Sequence, residues 1–144
     1  MTEAEIVASV SQFPGAAVTV ASEETGAPEL AWGSTFFFYD PDDEEAARRF
    51  PFATIVVDDV PDFDEASHLD RPDIFRVNVW VERETAARVA TDADPDALDV
   101  PIRHPVYGAQ GWVSILNPET SSPILSGLLT EAHGRAVERH RRRK

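Results

Sequence analysis

The chain has 144 residues and a mass of 15.9 kDa, with 42% hydrophobic and 27% charged side chains, the balance of a folded domain rather than a disordered one. Its 26 acidic against 13 basic groups give a net charge of −13, which disfavours a broad nucleic-acid footprint and an anionic membrane surface as partners. Cysteine is absent, which removes disulfides, thiolate metal sites and cysteine nucleophiles together.

Thr2 followed by Glu5 fits a capping box, and Ile6, Val10 and Phe13 recur at helical spacing until Pro14-Gly15 ends the run. Ala17 to Ala21 is then expected as a short strand, followed by turn chemistry over Glu23–Pro28. Thr35 to Tyr39 is an aromatic-rich strand stopped by Asp40-Pro41, and Glu44–Arg49 has the composition of a single helical turn. Phe52 to Val57, apolar and β-branched, is the best candidate for a central strand.

A long acidic connection with two prolines, Asp58 to Asp73, comes next; inside a compact domain such a loop is either functional or partly disordered. Ile74 to Val81 alternates cleanly. Phe75, Val77, Val79 and Val81 fall on one face, expected to be the core, and Ile74, Arg76, Asn78 and Trp80 on the other. Glu82 to Ala90 reads as a helix, Thr91 to His104 as loop and Gly111 to Leu116 as a last strand. Ser122 is placed to cap the closing helix, Pro123 suits its first turn, and Ile124, Leu125, Leu128, Leu129 and Ala132 form its apolar stripe. The order α-β-β-β-β-α-β-α, with short gaps between most strands, predicts an α+β domain: an antiparallel sheet with helices packed mainly on one face.

Charge is unevenly spread. Residues 135–144 carry six basic groups against Glu138, a balance of +5, so the first 134 residues stand at −18. This divides the chain into a single domain over residues 1–138 and a basic tail over 139–144. With no charged-then-apolar leader and no apolar run of roughly eighteen residues, a cytoplasmic protein is expected.

Chemistry-bearing motifs are scarce. There is no GxSxG elbow, Walker loop or GxGxxG, and no cofactor is implied. Asp92, Asp94, Asp96 and Asp99 superficially suggest a calcium loop, but Ala97 and Arg103 stand where an EF-hand needs glycine and glutamate, so a solvated acidic loop is expected. His68, Asp70 and His104 supply two imidazoles and a carboxylate, a ligand count that fits zinc or a metal-assisted hydrolase. Arg76, Asn78 and Trp80 on one strand face, with Tyr107, Gln110 and Trp112 from the HPVYGAQGW run, offer a polar-aromatic surface able to stack a planar ligand. In the tail, Arg139, Arg141, Arg142, Arg143 and Lys144 are the candidate contacts to nucleic acid.

The segments APELAWGSTFFFYDP, PFATIVVDD, FDEASHLDRPDIFRVNVWV and HPVYGAQGWVSILNP together resemble an uncharacterised bacterial family, the domain of unknown function numbered 6194. That resemblance covers nearly the whole chain and implies a stand-alone small protein with no assigned activity. More distantly, the helix ending in Phe13-Pro14-Gly15, the Phe52-Ala53 pair and the HP…GWV run with its closing helix resemble the MmcQ/YjbR family. This second likeness implies an α+β fold with helices against an antiparallel sheet, and a role in DNA binding has been suggested for that family. Its members tend to carry lysines beside the FA strand and at the end of the next one, where this chain has Arg49 and no lysine. The leading expectation is a non-enzymatic binding or interaction domain with a small-molecule or protein partner. Nucleic-acid association through the tail and metal-assisted hydrolysis through His68, Asp70 and His104 are the alternatives.

Overall fold

A computed structural model describes residues 1–143 of the chain. Among them are three α-helices, α1 (Glu3–Ser11), α2 (Arg83–Val89) and α3 (Ser122–Arg142), and six strands. The strands are β1 (Ala16–Val20), β2 (Thr35–Tyr39), β3 (Ala53–Val56), β4 (Arg76–Trp80), β5 (Ile102–Arg103) and β6 (Trp112–Leu116). They form one antiparallel sheet in the order β1-β2-β3-β4-β6-β5. The α+β architecture expected from pattern and gap length is the one observed.

Helices α1 and α3 cover one face of the sheet. Ile6 and Val10 of α1 and Leu125, Leu128, Leu129, Ala132 and Ala136 of α3 pack onto Phe37, Ile55, Val77, Val79, Val113 and Ile115. The strand residues in that set are the odd-numbered ones, as the alternation along β4 requires. Thr2 and Glu5 form the anticipated capping box at the start of α1, each side chain accepting the other's backbone N–H, at 2.9 and 3.1 Å.

Four features differ from the sequence-based expectation. The stretch 91–104 is not all loop: β5 pairs with β6 through Ile102–Ser114 and Arg103–Val113. Two residues are too few to display a period of two. The connection before β4 is folded down on the sheet's second face, where Leu69 joins Ile102 and Leu116 in a separate apolar cluster. Ser122 is the first residue of α3 and not its cap. The N-cap is Ser121, which makes no side-chain cap bond; Asp99, from the acidic loop, holds the turn ahead of the helix by accepting the backbone N–H groups of Glu119, Thr120 and Ser121. Finally, residues 139–142 are the last turn of α3 rather than a detached tail. Arg139 donates to the Phe50 carbonyl at 3.0 Å, Arg141 pairs with Glu138 at 3.1 Å, and Lys144 lies outside the described residues. Among the described residues no helix is long and apolar enough to cross a membrane.

Candidate functional site

The sheet face turned away from α1 and α3 carries an unusual row. Cross-strand pairing runs Thr19–Phe36–Thr54–Asn78–Ser114 across five strands, so the row's side chains share one face. At its centre Arg76 and Asn78 point away from the helices, as alternation demands, yet neither is open to water: they are 1% and 3% exposed. Burying a guanidinium is tolerable only if its N–H groups are paired. Here the pairing is extensive. Arg76 Nη1 donates to Asp64 and Ser67, Nη2 to Asp64, and Nε to the Asn78 side-chain oxygen.

Asn78 transmits this order sideways. Its Oδ1 also accepts from the Ser114 hydroxyl at 2.7 Å, and its Nδ2 donates to Thr54 Oγ1 at 3.0 Å. Those three bonds fix which end of the amide is which. His104 completes the cluster from the loop after β5. Its Nδ1 accepts the backbone N–H groups of Val106 and Tyr107, both at 3.0 Å, which puts the neutral ring's proton on Nε2. Nε2 lies 3.3 Å from Arg76 Nη2 and 4.0 Å from Asp64 Oδ2. Burial, with the Arg76 charge added and the Asp64 carboxylate only partly opposing it, pulls the His104 pKa down to about 4. The ring is therefore neutral at pH 7, and its surroundings leave it no role as a cation.

Beside this polar floor is a hollow of about 220 Å³ lined by Phe36, Thr54, Asn78, His104, Tyr107 and Trp112, with Pro51 and Val56 closing it. Its walls are chiefly apolar and aromatic. Tyr107 reaches it because His104 holds the backbone of the Val106–Tyr107 turn, and the two rings lie 5.1 Å apart. Gly111 sets the approach to Trp112: its φ of 95° is left-handed, and a Cβ there would stand 2.3 Å from the Val81 carbonyl oxygen. Two larger depressions, of about 660 and 690 Å³, lie at the β1–β2 end of the sheet and beside the N-terminus, outside this cluster.

Of the residues singled out as a stacking surface, the structure brings Asn78, Tyr107 and Trp112 together around one hollow, with Arg76 buried behind Asn78. Trp80 does not join them. Its ring lies under the guanidinium of Arg135 on α3, 3.7 Å from centroid to Cζ. Gln110 is exposed in the short turn ahead of Gly111 and takes no part. The proposed metal triad is not assembled. His68 is exposed and faces Asp96 at 3.2 Å, Asp70 is exposed, and His104 is buried against Arg76. Among the described residues no three His, Cys, Asp or Glu side chains are grouped to hold a metal ion. Leu69 turns inward between His68 and Asp70, so those two follow a surface turn while His104 is drawn into the cluster.

Asp64, Ser67, Phe36 and Thr54 escaped the sequence reading. Phe36 sits in a run of three phenylalanines that fills both faces and so hides its alternation, and Asp64 is one of many acids in its loop. Only the buried guanidinium of Arg76 distinguishes it.

A family model described as a family of unknown function, DUF6194, matches residues 1–144, the whole chain. No curated protein and no solved structure matches the chain.

Proposed function

The chain belongs to the DUF6194 family, whose description assigns no activity, and we propose that it is a binding domain for a small planar, mainly apolar molecule, without catalysis of its own. One observation carries this reading: the hollow has aromatic walls and a polar floor whose hydrogen bonds are already made internally. Asn78, Thr54, Ser114 and Arg76 satisfy one another, and His104 Nδ1 is held by two backbone amides. Groups committed in this way position a surface; they are not free to move protons on a substrate.

Size sets the ligand class. A cavity near 150 Å³ holds benzene, and drug-sized ligands occupy roughly 300–1,000 Å³. At about 220 Å³ the hollow suits a molecule of one or two rings. Trp112, Phe36 and Tyr107 supply the stacking surface. The distant MmcQ/YjbR likeness implies helices against an antiparallel sheet, and this chain has helices on one face of such a sheet. It lends no DNA-binding role here, because the body of the chain is acidic and Arg141 is paired with Glu138.

The test is an NMR screen of one- and two-ring compounds, following the Trp112 indole N–H and the backbone amides of Thr54, Asn78 and Tyr107. Binding should move these resonances together and weaken in Phe36→Trp, which fills the hollow from β2. Shifts that survive in that variant, a screen with no hits, or reproducible turnover of any compound would overturn the reading.

A further inference from the structure

The C-terminal half of α3 crosses the end of β4. Between them lies a depression of about 450 Å³ lined by Trp80, Glu82, Glu131, Arg135, Glu138, Arg139 and Arg142. From this geometry we infer that the depression is a binding site for a small phosphate-bearing anion, held chiefly by Arg135 and Arg139. The site is separate from the aromatic hollow and independent of its ligand.

Three observations support it. First, one indole holds two guanidiniums side by side. Arg135 Cζ is 3.7 Å and Arg139 Cζ 4.8 Å from the Trp80 ring centroid, and Arg139 is further fixed by its bond to the Phe50 carbonyl. Planar guanidiniums stacked on an aromatic face are pre-organised for an oxyanion, because little side-chain freedom remains to be lost on binding. Second, Arg135 Nη1 is buried and has no hydrogen-bond partner. An orphaned buried donor asks for an acceptor.

Third, the carboxylates nearby are mostly engaged elsewhere. Glu131 accepts from the Glu82 backbone N–H and the Thr85 hydroxyl at the start of α2, each at 2.8 Å. Glu138 pairs with Arg141 at 3.1 Å, which leaves Glu82, 3.3 Å from Arg135 Nε. Burial first, with the cationic Arg143 and Arg135 beside it, lowers the Arg139 pKa. Arg135, Arg139 and Arg142 thus face Glu82, Glu131 and Glu138 in equal number, with Glu82 the carboxylate paired to the stacked guanidiniums. Phosphate fits better than a carboxylate, since several oxygens can meet two separate guanidiniums at once. The acidic remainder of the surface repels a long polyanion, which favours a small ligand.

The experiment is a titration of the full chain with inorganic pyrophosphate at constant ionic strength, following the Trp80 indole N–H by NMR. A saturable shift is expected. Arg139→Gln should weaken binding about tenfold, as loss of one charge-assisted contact does. Arg142→Gln should weaken it less, and Arg88→Gln, on α2 outside the depression's lining, should leave it unchanged; circular dichroism checks that each variant is folded. If Arg139→Gln does not fold, the Arg142→Gln and Arg88→Gln comparison decides. Absence of saturation, or equal affinity in Arg142→Gln and Arg88→Gln, would overturn the site. So would tighter binding of a single-stranded oligonucleotide than of pyrophosphate, which would mark a nucleic-acid surface instead.

Discussion

Arg76 and Asp64 meet in a two-pronged ion pair, Nη1 to Oδ1 at 3.0 Å and Nη2 to Oδ2 at 2.6 Å, although one lies on a central strand and the other in the preceding loop. With the arginine side chain 1% and the aspartate 12% exposed, this contact pins the long acidic connection onto the sheet. Removing one partner leaves the other charge buried and unpaired, a loss of about 3–5 kcal/mol. Arg76→Met should therefore lower the urea midpoint sharply. Arg76→Met combined with Asp64→Leu should recover part of that loss, because no orphaned charge remains. A double variant no more stable than Arg76→Met alone would show that the pair is not what holds the loop.

Asp99 braces the turn that leads into α3. It accepts three backbone N–H groups and the hydroxyls of Thr120 and Ser121, and these bonds hold its carboxyl well below the usual carboxylate range. Asp99→Ala should cost on the order of 1.5–3 kcal/mol, as loss of hydrogen bonding to a charged group does. A depressed folded pKa means that the unfolded state takes up the proton first as pH falls. The stabilisation is thus complete above about pH 4 and is lost progressively below it. In acid unfolding monitored by circular dichroism, the gap between wild type and Asp99→Ala should narrow below that pH.

His104 works in the same direction in a higher window. Its folded pKa of about 4 lies below the ordinary imidazole value, so the unfolded chain binds the extra proton between about pH 6.5 and 4. Stability from the neutral ring is present above that window and declines through it on acidification. The groups facing the ring are Arg76, Asp64 and the amides of Val106 and Tyr107. The C2 proton of His104 should show no titration above about pH 5 by NMR. Titration of His104 near pH 6.5 would contradict the neutral, doubly held ring.

Gly111→Ala should destabilise the fold and disturb the hollow together. The residue is left-handed and abuts a backbone carbonyl, which has no flexible end to swing aside. A cost of about 1–3 kcal/mol is expected from the strained φ alone. Thermal unfolding measures the cost, and the Trp112 indole resonance reports displacement of the wall. An unshifted Trp112 signal in a folded Gly111→Ala protein would show that the turn does not position that side chain.

Much of the fold could be read locally. The capping box of Thr2 and Glu5, the alternation of Val77, Val79 and Val81 and the stripe along α3 are short-range patterns, and each forms where its spacing placed it except at Ile124, which is 43% exposed while Ala136 joins the buried stripe instead. The site was legible only in part. Asn78, Tyr107 and Trp112 were recognisable as a polar-aromatic set, but Trp80, equally eligible by alternation, turned to α3 because Arg135 and Arg139 offered their guanidiniums at the strand's end. Grouping His104 with His68 and Asp70 failed for a similar reason. The nearest carboxylate to its ring is Asp64, brought in by Arg76 across the loop.

By itself, the sequence determined the charge balance, the strands and helices with strong periodicity, and the need for Arg76 to find partners if its face were covered. Tertiary structure alone decided whether that face was covered and by what. It also turned an acidic loop into the brace of the turn before α3 and a basic tail into the last turn of a helix stacked on Trp80. The physical reason is common to both. Periodicity is set by neighbours in the chain, whereas a buried charge or an unpaired helix end takes whichever partner the packed fold brings within about 3 Å.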